Sequence, residues 1–69
     1  MTTMNKLEKA LTDAKGLASD LKTFSMDTND QNAKQMFNML STNAENISQM
    51  LESRLNFVKS EEPQYNQNQ

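Results

Sequence analysis

Phe24-Ser25-Met26-Asp27-Thr28-Asn29-Asp30-Gln31-Asn32-Ala33 separates two long stretches of helical pattern. Asp27, Thr28, Asn29 and Asp30 have short polar side chains that bond nearby backbone groups, so they favour caps and turns over helix interiors. Thr28-Asn29-Asp30-Gln31 fits a capping box, with the threonine oxygen accepting from the third helical N–H and Gln31 reaching back. The segment predicts a turn over residues 27–29. So short a connection makes the flanking helices antiparallel neighbours.

Upstream, the spacing predicts a helix over residues 4–26. Met4, Leu7, Leu11, Ala14, Ala18 and Leu21 recur in steps of three and four, and Ala10, Leu17 and Phe24 lie beside them at steps of seven. Downstream, a second helix is expected over residues 30–60, with Ala33, Phe37, Leu40, Ala44, Ile47, Leu51 and Val58 as its seam. Met36, Met50 and Phe57 flank that seam, and Arg54 interrupts it. Asp30 and Lys34 are placed to pair at i, i+4. Pro63 disfavours helix at Glu62. Residues 63–69 therefore read as an extended, largely mobile tail, with Tyr65 as its anchor on the hairpin or a neighbour.

The fold class is thus all-α: an antiparallel two-helix hairpin over residues 1–62. Its helices span roughly 33 and 45 Å at 1.5 Å per residue. Each apolar face occupies about three positions in seven, the width of a bundle helix. Two helices side by side leave much of such a face in water, whereas two hairpins paired into a four-helix bundle cover it. Sixty-nine residues also bury too little surface for a secure core without a staple. The chain has no cysteine, so self-association is the staple that remains. The residues expected to carry it are Leu21, Phe24, Met36, Phe37, Leu40, Ile47, Leu51, Phe57 and Val58.

Composition argues against several functions. No histidine is present, which removes the commonest general base and zinc ligand. Glu45 and Glu52 share a helix face without a histidine to complete a di-metal pattern, and read as solvated charge. No catalytic residue, cofactor or metal site is expected. The seven basic residues are interleaved with nine acids at a net charge of −2, unlike the basic stripe of a nucleic-acid binder. The opening MTTMNKLEKA lacks the apolar core of a signal peptide, and no apolar run approaches a membrane span. Synthesis in the cytoplasm without membrane insertion is therefore expected.

A second contact surface is suggested by Gly16, which lies about 160° around the first helix from its apolar face, at 100° per residue. Thr12, Gly16, Ser19 and Thr23 form a strip of small residues there. Helix 2 adds Met39 and a neutral outer surface, with Glu45 the only charge between Lys34 and Glu52. A further contact there would extend dimers into an array; a solvated face with one tolerated glycine is the plainer reading.

Several segments together resemble a known family. They are Ala14-Lys15-Gly16-Leu17-Ala18-Ser19-Asp20-Leu21, then Phe24 and Thr28, then Ala33-Lys34-Gln35-Met36-Phe37, Leu51-Glu52-Ser53-Arg54-Leu55 and Glu61-Glu62-Pro63-Gln64-Tyr65. From about Leu11 to Tyr65 the chain resembles the domain-of-unknown-function family 1657, short proteins of spore-forming Firmicutes. It departs from the family pattern at Ser53, where members tend to have proline, and after Tyr65. The resemblance implies a sporulation setting, with other spore proteins, including membrane-channel proteins, as prospective partners. It implies no enzyme activity and no cofactor. The expected function is a non-catalytic structural or interaction protein of the spore that assembles with itself; an accessory module docking on another spore protein is the alternative.

Overall fold

The computed structural model describes residues 3–61. They form α1 (Thr3–Asp27) and α2 (Gln31–Glu61), packed against each other as an antiparallel hairpin. Among the described residues neither helix is long and apolar enough to cross a membrane. The tail expected over 63–69, with Tyr65, lies outside them.

The turn falls one residue later than its composition suggests, and the cap explains the shift. The Thr28 amide donates to the Phe24 carbonyl at 3.1 Å, which completes the last turn of α1. The Asp30 carboxylate then accepts from the Asn32 amide at 3.2 Å, so Asp30 is the N-cap of α2. Thr28 does not cap α2; its hydroxyl accepts from the Asp30 amide at 3.2 Å and tightens the turn. Lys34 does not pair with Asp30. Its ammonium reaches back across the hairpin to the Ser25 carbonyl at 2.8 Å, near the end of α1 where carbonyls lack helical partners. We expect Asp30→Ala to cost about 1 kcal/mol, the usual value of an N-cap, read as a lower midpoint in thermal unfolding; no change would mean that another group caps α2.

The helices meet along two heptad rows each. In α1 these are Met4, Leu7, Leu11, Ala14, Ala18, Leu21 and Ser25; in α2 they are Phe37, Ser41, Ala44, Ser48, Leu51, Leu55 and Val58. All are buried or half-buried. Leucine, methionine and valine fill the open end as far as Leu11, level with Ser48, whereas the middle holds Ala14, Ala18, Ser41 and Ala44. Small side chains let two helix axes approach closely. The approach is close enough that the Ser41 hydroxyl, on α2, donates to the Ala18 carbonyl, on α1, at 3.0 Å. Ser48 and Ser25 turn their hydroxyls to the carbonyls of Ala44 (3.0 Å) and Lys22 (2.7 Å) within their own helices. No buried side-chain nitrogen or oxygen among the described residues lacks a partner, so the serines sit in the seam without the penalty of an unmade hydrogen bond.

This seam differs from the apolar seam expected for α2. Ser41, Ser48 and Leu55 occupy it, and the larger Leu40 and Ile47, one residue earlier in each heptad, stand outside it. Among the described residues the buried apolar ones are Ala18, Ala44, Leu55 and Val58. The hairpin therefore keeps its small residues inside and many of its large ones outside.

Candidate interaction face

Leu17 and Phe24 follow one another at seven residues on α1, beside the seam. Leu40 and Ile47 do the same on α2. In an antiparallel pair, rows that flank the seam from equivalent heptad positions lie on the same side of the hairpin. The opposite side confirms the assignment: Lys15, Lys22, Glu45 and Glu52 border one shallow charged groove there. Leu17, Phe24, Leu40 and Ile47 thus share one face, which Met36, Met50 and Phe57 widen across α2. These seven side chains are exposed, from 41% at Leu40 to 71% at Met50. Phe24 and Phe37 bridge the two helices edge to face, with ring centroids 5.6 Å apart, a geometry that contributes about 0.5–1.5 kcal/mol beyond burial.

Of the residues expected to carry self-association, the structure divides the set. Phe24, Met36, Leu40, Ile47 and Phe57 stand on the exposed face. Leu21, Phe37 and Leu51 are half-buried and Val58 buried within the hairpin itself. Leu17 and Met50 join the face, although the spacing placed them only beside the seam. Arg54 follows Ile47 by seven residues in the same row of α2. Its guanidinium lies over the Phe57 ring, 5.0 Å from the centroid, a stacking worth about 0.5–1 kcal/mol at an exposed site.

The edges of the face differ in charge. On α1, Asp13 and Asp20 stand four residues before Leu17 and Phe24, hence next to them on the helix surface. Lys6 precedes Asp13 by seven on the same edge. Asp13 is paired with Lys9 at 3.0 Å. On α2 the corresponding edge is neutral apart from Arg54. Among the described residues, no group of three or more His, Cys, Asp or Glu side chains is placed to hold a metal ion.

Thr12, Gly16, Ser19 and Thr23 form an exposed strip on α1, and Ser19 and Thr23 reach the rim of the charged groove. Met39 is exposed on the outer side of α2, so within one hairpin it does not join that strip. A Cβ built on Gly16 would meet nothing within 4 Å. We expect Gly16→Leu to stabilise the helix by several tenths of a kcal/mol through propensity alone. Thermal unfolding and particle size, measured together, check this. A loss of large assemblies with the hairpin intact would instead mark the strip as a contact.

Neither the curated proteins nor the solved structures contain a match to this chain. The family model described as "Protein of unknown function (DUF1657)" matches residues 7–55, which include most of both helices, the turn and all but the last residue of the apolar face. The chain belongs to the DUF1657 family.

Proposed function

We propose that this protein is a non-catalytic structural or interaction protein whose working surface is the apolar face, and that it assembles with itself through that face into a four-helix bundle. The observation that carries this reading is the size of the face. At roughly 200 Å² for a large side chain, the seven exposed residues offer about 700 Å² of apolar surface. The largest apolar patch on a typical monomer is about 300–600 Å², and a standard interface buries about 800 Å² on each partner. The thin Ala/Ser seam points the same way, because a hairpin with so little large side chain buried gains most by covering the outside.

Family membership and the resemblance to proteins of spore formers support the spore as its setting. The test is light scattering with thermal unfolding across a range of concentrations. The expected result is a mass at least twice the 7.9 kDa of one chain and a melting temperature that rises with concentration, as mass action requires. A monomer that is partly unfolded alone would favour instead a module that folds on another spore protein.

A further inference from the structure

Two copies of the hairpin can bring their apolar faces together around a two-fold axis in two ways. We propose that the second copy lies antiparallel, with the axis crossing the helices, so that α2 packs on α2 and α1 on α1. This rests on the self-association reading above and goes on to specify the partner's orientation.

The contacts within one hairpin set the levels along its axis. Ser41 bonds Ala18 and Lys34 bonds Ser25, so each step forward on α2 is a step back on α1. Counting on from these pairs places Arg54 level with residue 5 of α1, beside Lys6 and within about 1.5 Å of it along the axis.

If the two-fold axis ran along the helices, α1 would lie on α2 of the second copy at unchanged levels. Lys6 would then meet Arg54 of the other copy, and symmetry would make this happen twice. Asp20 would meanwhile be set against the methionine edge of α2 with no cation near. Both arrangements are unfavourable: the first by repulsion, the second by loss of carboxylate hydration.

With the axis across the helices, the apolar row of α2 is overlaid on itself reversed. Centring that row sets the small Ala33 against Phe57 of the second copy and Leu40 against Met50. The same overlay carries Lys6 to within about 3 Å, along the axis, of Asp20 of the second copy. These are opposite charges, and symmetry supplies the pair twice. On the α1 edge the one like-charge approach is Asp13 with its own symmetry mate, and each of these already holds Lys9 at 3.0 Å. Arg54 comes level with Met36 of the second copy and stays stacked on its own Phe57; the second copy's Lys34, within about 3 Å of that level along the axis, lies in the inner seam with its ammonium held on the Ser25 carbonyl. Isologous two-fold contacts of this kind are the commonest form of soluble self-association.

The chain contains no cysteine, so a single nitroxide label is unambiguous. Asn29→Cys places it on the exposed turn, clear of the face. In the crossed dimer the two turns lie at opposite ends, about 45 Å apart by helical rise. A separation under about 25 Å, as helices packed 8–10 Å apart would give with both turns at one end, overturns the orientation but leaves self-association standing. A chain that light scattering finds monomeric, with no dipolar coupling between labels, overturns both. Lys6→Glu gives an independent sign. In the crossed dimer it weakens association several-fold, and adding Asp20→Lys restores it; with the axis along the helices Glu at position 6 would face Arg54, and stronger association would overturn the proposal.

Discussion

Ala44→Leu is expected to destabilise the hairpin by about 2 kcal/mol or more, although it adds apolar surface to a helix that is short of it. Ala44 is 3% exposed, in the middle of a seam lined by Ala14, Ala18, Ser41 and Ser48. The Ser41 hydroxyl spans that seam to the Ala18 carbonyl at 3.0 Å, which leaves no room for an isobutyl group between the helices. Overpacking a filled site costs about 1–3 kcal/mol. In a domain this small, 1 kcal/mol moves the melting temperature by about 4–8 °C, so a fall of 10 °C or more is expected by circular dichroism. Met50→Leu, at a site 71% exposed, adds a matched control of similar chemistry and should leave the hairpin's own packing unchanged. An Ala44→Leu protein that melts at the original temperature would mean that the helices are not held at this approach.

The helices, their order and the turn were legible because they depend on local signals: three-and-four spacing, and a run of four residues that favour caps. The choice of N-cap was not. Thr28 and Asp30 both suit the role by type, and the difference lies in whether α1 continues through the Thr28 amide. The inner seam was misread for a related reason. In α2 two neighbouring rows run in parallel, one through Leu40 and Ile47 and the other through Ser41 and Ser48. Hydrophobicity ranks the first row as core. Close approach of two helices favours the second, since serine is small and its hydroxyl finds a carbonyl at every site here. The signal was present in the heptad that joins Ser41 and Ser48 to Leu55, matched on α1 by Ala18 and Ser25. The apolar residues that look like core by type are then left on the outer face, which is the candidate site. Its residues could be named from spacing, but not separated from those that pack within the hairpin, such as Leu21 and Leu51.

Ile47→Glu tests that outer face most severely. Ile47 is 50% exposed and near the middle of the face, so a partner covering Leu40 and Met50 covers it too. A carboxylate there is taken out of water on association, and no cation on α2 is positioned to receive it. Both copies carry the substitution, which doubles the effect in any two-fold dimer. Central interface residues of this kind cost about 2–4 kcal/mol when lost, so association should weaken by roughly 100-fold or more. Because glutamate is a good helix former and Ile47 contributes little to the seam within the hairpin, any loss of helix reports the loss of the partner rather than damage to the hairpin. The expected result is a monomer by light scattering whose helical signal falls at concentrations where the parent chain is fully folded. Asn38→Glu, exposed on the charged side of α2, serves as the control and should leave mass and helicity as they were. If Ile47→Glu keeps the parent's mass at equal concentration, the apolar face is not the surface through which the chain assembles. If it becomes a fully helical monomer, the Ala/Ser seam suffices to fold the hairpin, and assembly acts on a domain that is already formed.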